Sequence, residues 1–229
     1  MLSNRFKTTS LITSVAIVGV LIGALFGGHL FTLITGEFPG PGPGVNVATG
    51  TKVDTSVYIT TQNPSNYGDW LTQVWWRISG QMWQNPDGTW TIYWSHHAGI
   101  VTTIGKTFMQ NKLGNNGFAN ATKYVVYISL SASAGGTNAN HKQLPAEITA
   151  NNLGRAIGAF ASTGATTWTI TKTFTDTGAP TSDIQMAGYN WDTYAASPLG
   201  NLFAEDTFTP TTLQVNDQLT ITGTFTASG

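Results

Sequence analysis

QLTITGTFTAS, Gln218 to Ser228, alternates: Leu219, Ile221 and Phe225 fall on one side, with Thr220, Thr222, Thr224 and Thr226 on the other. A period of two belongs to an extended strand, and one apolar face backed by one hydroxyl face belongs to a strand half-buried in an antiparallel sheet. The same reading extends backwards along the chain. TTWTITKTF sets Trp168, Ile170 and Phe174 against Thr167, Thr169, Thr171 and Thr173, and KYVVYISLS puts Tyr124, Val126, Ile128 and Leu130 on one face. TKVDTSVYITT, Thr51 to Thr61, is a further strand candidate, and Gly, Pro, Asn and Asp punctuate the runs. TTIGKTFMQNKLG departs from this pattern. Thr102 or Thr103 can cap it, Ile104, Phe108 and Leu113 recur near helical spacing, and Gly114 can stop it, which predicts one short helix over 103–113. The expected fold is mainly β, an antiparallel β-sandwich of jelly-roll or immunoglobulin-like type with one short helix, preceded by an N-terminal hydrophobic helix.

The composition narrows the partners. Of 229 residues only 9% are charged, ten basic against eleven acidic, and there is no cysteine. Soluble domains average roughly 25% charged residues, so this surface binds through hydrogen bonds and rings more than through ions. No basic run suits a phosphate backbone, so nucleic acid is not an expected partner. Disulfides and Cys-ligated zinc are excluded outright.

Between Lys7 and Glu37 there is no charged side chain, and Ser10 to Thr35 is mostly aliphatic. A bilayer core needs about 20 such residues. Arg5 and Lys7 precede the stretch, so the positive-inside tendency keeps the N-terminus cytoplasmic and sends the remainder of the chain outward. The expected organisation is an anchor or signal segment over 1–36, a Pro/Gly linker (FPGPGPG) over 37–44 and an exported domain over 45–229. Retention of the leader gives a membrane-anchored domain facing outward; removal gives a secreted one. No good A-x-A cleavage site is present, which favours the anchor. Gly19, Gly23 and Gly27 would line one face of a membrane helix, either as a packing seam or simply because glycine is common in such helices. His29 falls at the far end of the run.

VWWRISGQMWQNPDGTWTIYWSHH, Val74 to His97, holds five of the eight tryptophans. Asn85-Pro86-Asp87-Gly88 suits a three-residue hairpin loop and fixes a register in which Met82 faces Ile92 and Trp83 faces Thr91. Continued as a strand, the segment puts Val74, Trp76, Ile78, Met82, Trp90, Ile92 and Trp94 on a core face. The other face then carries Trp75, Arg77, Gln81, Trp83, Thr91, Tyr93 and His97. Within it, Trp75, Arg77, Trp83, Tyr93 and His97 form a candidate aromatic contact face, open to a glycan or protein partner, or else covered by another part of the chain.

Catalytic signals are sparse. His96 and His97 diverge on a strand, with His96 expected inward and His97 outward, and His141 sits in a separate Gly/Asn-rich loop. No metal-ligand spacing, catalytic triad or paired-carboxylate motif appears, and Glu205-Asp206 would point apart. GKT at Gly105 to Thr107 lacks the preceding glycine of a phosphate loop, since Ile100 stands there. VNDQ (Val215–Gln218) and TDTGAPTSD (Thr175–Asp183) offer oxygen ligands for calcium but equally make turns. No catalytic residue, metal or cofactor is therefore assigned. Asn120, in NAT, is the one glycosylation sequon.

The ordered segments IVTTIGKTFMQNKLG, YVVYISLS, LPAEITANNLGRAIGAF, WTITKTFT, IQMAGYNW, NLFAEDTFTP and TLQVNDQLTIT, within Gly99 to Thr222, together resemble phage tail-type structural proteins and uncharacterised archaeal surface proteins. That resemblance implies a β-rich, non-enzymatic protein exposed on a particle or cell surface, with no catalytic residues to transfer; the N-terminal apolar segment is this chain's addition. The expected function is a structural or adhesive surface protein, membrane-anchored or polymerised into an extracellular filament. In the filament case the extended Val45–Tyr58 segment would be donated to a neighbour. A virion envelope or attachment protein, and a carbohydrate-binding module, are the alternatives. Expected partners are the membrane, further copies of the chain or another surface protein, and a glycan.

Overall fold

The computed structural model describes residues 51–114, 122–193 and 200–227. The apolar N-terminal stretch with Gly19, Gly23, Gly27 and His29, the Pro/Gly linker and Asn120 lie outside the described residues. In chain order the elements are β1 (Thr51–Thr61), a 3-10 turn (Pro64–Asn66), α1 (Trp70–Ile78), β2 (Met82–Gln84), β3 (Trp90–Ala98), β4 (Ile100–Val101) and α2 (Thr103–Gly114). After them come β5 (Tyr127–Ser131), β6 (Ala156–Ile157), β7 (Ala159–Ser162), β8 (Thr167–Thr175), β9 (Thr181–Asn190), β10 (Leu202–Leu213) and β11 (Gln218–Ala227).

The strands form two antiparallel sheets, one of six in the order β2-β3-β1-β11-β8-β7 and one of five in the order β4-β10-β9-β5-β6. One apolar cluster draws on both. Val53, Val57, Ile59, Ile170, Phe174, Leu219, Ile221 and Phe225 of the six-stranded sheet share it with Ile128, Leu130, Ile184, Tyr189, Phe203 and Phe208 of the other. Each such buried side chain stabilises the fold by about 1.5–3 kcal/mol. This is the arrangement expected of alternating strands: the residues of β11 at 219, 221 and 225 are buried, and the threonines between them are not. On the outward side, Thr171 and Thr222 hydroxyls meet at 3.0 Å and Thr173 and Thr220 at 2.8 Å, so cross-strand pairing satisfies them.

Gly223 interrupts β11 for a packing reason. A Cβ there would overlap the Tyr189 ring, which crosses from the facing sheet and reaches the Thr55 hydroxyl at 2.7 Å. Gly105 has a similar role in α2, where a Cβ would collide with the Phe203 carbonyl. Thr102 caps this helix, its Oγ1 accepting the Gly105 amide at 3.0 Å and donating to the Leu202 carbonyl. The GKT triplet thus belongs to a helix packed backbone-close on β10. Phe108 is buried in that seat, whereas Leu113 is exposed rather than part of it.

The five-stranded sheet is not open on its other face. Ser129 and Ser131 are as buried as Ile128 and Leu130, because the long loop after β5 returns over them. Leu144 from that loop packs on Met186 and Leu202, and Arg155 pairs with Glu147 at 2.6 Å while donating to the Asp192 carbonyl and Asn201 Oδ1.

Three expectations are corrected. Residues 70–78 are helical, so the described residues contain two α-helices where one was expected. Residues 51–61 are a central strand, paired with β11 on one side and β3 on the other, so that stretch is committed to its own sheet and is not a free donor. Tyr124 precedes β5 and is exposed, not on an inward face.

Candidate functional site

The Asn85–Gly88 turn closes as its residues demand. The Asn85 amide donates to the Thr89 carbonyl at 2.8 Å, the Gly88 amide to the Asn85 carbonyl at 3.0 Å, and Gly88 takes φ +86. Asp87 Oδ1 accepts the Thr89 amide and hydroxyl at 3.0 and 2.7 Å. The resulting register has Met82 opposite Ile92 and Trp83 opposite Thr91, as expected. Met82 and Ile92 are buried, and Trp83 is 43% exposed.

Beyond Tyr93 the expected alternation fails. β3 runs beside β1 with Tyr93 opposite Tyr58 but Ser95 opposite Val57, leaving Trp94 as an extra residue in a β-bulge. The bulge reverses everything after it. His96 falls opposite Ser56 on the outward face, its Nδ1 3.0 Å from Ser56 Oγ, and His97 falls opposite buried Thr55 on the inward face. Both histidines are therefore on the sides opposite to those expected. Burial, helped by the neighbouring His96, lowers the His97 pKa.

The outward face of the six-stranded sheet consequently gathers three rings. Tyr58 lies edge-on to Trp83 with centroids 6.4 Å apart and tilted against Tyr93 at 5.3 Å. Burial and the adjacent Tyr58 raise the Tyr93 phenol, while a Ser56 hydrogen bond opposes the shift. Ser56, His96, Thr60 and Thr91 surround the rings, the two threonine hydroxyls at 3.2 Å, and the threonine rows of β11 and β8 continue the face. Trp83 keeps 43% of its surface exposed on this face, and β1 sits beside the hairpin in the plane of the sheet.

Of the five expected contact residues, Trp83 and Tyr93 share this face. Trp75 and Arg77 do not, because they ride on α1, and His97 does not, because of the bulge. The Arg77 guanidinium stacks 4.5 Å over the Trp90 ring. Trp76 packs edge-on against Trp94, which also meets Tyr67 and donates its indole N–H to the Thr209 carbonyl at 2.9 Å. Tyr58 is the member that sequence reasoning missed. Its position, out of phase with Val53, Val57 and Ile59, marked it as outward-facing, but only the pairing of β1 with β3 brings it to the other rings.

The acidic groups serve the fold. Glu205 and Asp206 are both buried and point to opposite sides of β10, as expected. Glu205 accepts the Asn138 amide and lies 3.0 Å from His141 Nδ1; burial raises its pKa against those hydrogen bonds. Asp206 lies against Gly99 and Thr55, and burial pushes it up to about 7. The Thr55 hydroxyl and amide and the Thr207 amide oppose that shift without forming well-aligned hydrogen bonds to it. Asp176 and Asp217 close turns: Asp176 accepts the Gly178 and Thr181 amides at 3.0 and 3.2 Å, and Asp217 accepts the Tyr67 hydroxyl at 2.6 Å. Among the described residues no group of three or more His, Asp or Glu is placed to hold a metal, and no helix is long and apolar enough to cross a membrane.

Comparison of the chain with protein-family models, with curated proteins and with solved structures finds no match.

Proposed function

We propose that this chain is a non-enzymatic surface protein: a β-sandwich held on the outer side of a membrane by its apolar N-terminal segment, which adheres through the outward face of the six-stranded sheet. The observation that carries this reading is the Tyr58–Trp83–Tyr93 cluster, with Trp83 exposed and the two tyrosines half-buried beside it, on a face whose other side chains are mainly hydroxyls. Rings of this kind bury much area at low entropy cost, and surrounding hydroxyls supply directional contacts. A low-charge outward face and the resemblance to phage tail-type and archaeal surface proteins support the same reading. So does the use of the acidic residues, since the two carboxyls raised by burial, Glu205 and Asp206, are sealed away from any substrate. Of the two sandwich types, the jelly roll is the one we propose, a reading supported by the nested pairing of β1 with β11, β4 with β10 and β5 with β9.

A glycan is the ligand class favoured by the ring cluster, because sugar faces stack on aromatics while their hydroxyls pair with the surrounding threonines. The test is a glycan array and a cell- or particle-adhesion assay on the full chain, comparing it with Trp83→Ala and Tyr93→Ala. We expect adhesion to fall at least tenfold with an unchanged circular dichroism spectrum. Unchanged adhesion in both variants would remove this face from the function. Loss of adhesion with no glycan bound would instead assign the face to a protein partner.

A further inference from the structure

In an ordinary surface helix the apolar stripe faces the core and the polar side faces water. α1, with the sequence WLTQVWWRI, is seated the other way round. At about 100° per residue, Trp70, Leu71, Val74, Trp75 and Ile78 fall within one arc of roughly 140°. They are 70%, 51%, 38%, 40% and 74% exposed, respectively. The opposite arc holds Gln73, the one buried residue of the helix, together with Trp76 against Trp94.

This seat is built rather than incidental. Gln73 Nε2 donates to the Gly68 carbonyl at 2.8 Å and to Ser65 Oγ at 3.3 Å, so turning the helix over would strand a buried amide. Asp69 caps the N-terminus by accepting the Thr72 amide at 2.8 Å, and Gly80, at φ +74, lies just past the C-terminal end. A Cβ on Gly68 would press on Thr72 and Trp76 at 2.9 Å, which fixes the entry to the helix closely against its inward side.

We infer that α1 is a membrane-interface helix, its outward arc of Trp70, Leu71, Val74, Trp75 and Ile78 lying in the headgroup–acyl boundary of a bilayer. This rests on the anchored reading proposed above. Three features select lipid over a second copy of the chain. The arc exposes on the order of 500 Å² from five side chains, below the roughly 800 Å² per partner of a stable protein interface. It is uncharged, and two of its five members are tryptophans, the residue enriched where a bilayer meets water. The chain also has the reach: Ser10 to Thr35 is apolar enough to enter a bilayer, and residues 36–50 can extend at most about 50 Å. β1, the next element, is about 36 Å long. The tether therefore outreaches the strand, and α1, beyond the other end of β1, can touch the bilayer that holds the anchor.

The sequence supplies a selective reporter, because none of the eight tryptophans lies in residues 1–50. The full chain, reconstituted in phosphatidylcholine vesicles, is measured for tryptophan quenching by dibrominated phosphatidylcholine. Expected is clear quenching of which more than half disappears in Trp70→Phe/Trp75→Phe. In Leu71→Asp/Ile78→Asp it should fall at least threefold, with the circular dichroism spectrum unchanged in both. Release of the chain from vesicles by alkaline carbonate would overturn the anchored reading and this inference with it. Retention without quenching, or quenching indifferent to Leu71→Asp/Ile78→Asp, would overturn the inference alone. Concentration-dependent self-association abolished by the same pair, without quenching, would hand the arc to a second copy.

Discussion

β11 and α1 are both amphipathic, yet they bury opposite sides. In β11, Leu219, Ile221 and Phe225 are wholly buried and the threonines face out, whereas in α1 a glutamine is buried and tryptophan, leucine and isoleucine face out. The difference teaches that apolar patterning identifies a face without saying what it faces. β11 meets the second sheet, so its pattern is explained within the fold. The outward arc of α1 stays largely exposed among the described residues, from 38% at Val74 to 74% at Ile78, so the core does not account for its apolar side chains.

That contrast can be broken first at Phe225. This ring stacks on Trp168 at 5.5 Å and meets Tyr189 edge-on at 5.1 Å. Truncation to Ala should cost about 3–5 kcal/mol in urea unfolding; a loss under 1 kcal/mol would mean that the sheets do not share a tight core. Asp206 tests the dryness of the same interior. Its pKa rises from 3.8 to about 7 on folding, so the folded chain holds this proton more tightly than the unfolded one. Its contribution is full below pH about 4 and is lost as pH rises through about 7, a change on the order of a few kcal/mol. Thermal unfolding at pH 5 and pH 8 should show that fall, and Asp206→Asn should flatten it; parallel curves would contradict a buried carboxyl. Gly223→Ala crowds Tyr189 and should cost about 1–3 kcal/mol. Smallest of all, Trp70→Ala should shift stability by no more than about 0.5 kcal/mol in the absence of lipid, because the ring packs on little of the fold.

The strands were legible where one face is threonine and the other aliphatic, as in β8 and β11, because a period of two has no competing reading there. The Asn85–Gly88 turn was legible from its own residues and gave the β2–β3 register. α1 was not, since Val74, Trp76 and Ile78 also alternate, and tryptophan, valine and isoleucine favour strands. Asp69 ahead of the run and Gly80 behind it were the helix signals available. The bulge at Trp94 was beyond reach because it depends on pairing with β1, and it alone exchanged the sides of His96 and His97. For the same reason Tyr58 joined Trp83 and Tyr93, and His141 met Glu205, only through contacts distant in sequence.

The central claim, that Tyr58, Trp83 and Tyr93 form the working contact face, is tested most directly by hydroxyl-radical footprinting of the full chain. The chain is labelled both in its native setting and after purification into vesicles. Trp83 and Tyr93 should be reactive in the purified chain and protected in the native setting, with Trp70 and Trp75 protected wherever lipid is present. Equal reactivity of Trp83 and Tyr93 in both settings would contradict it.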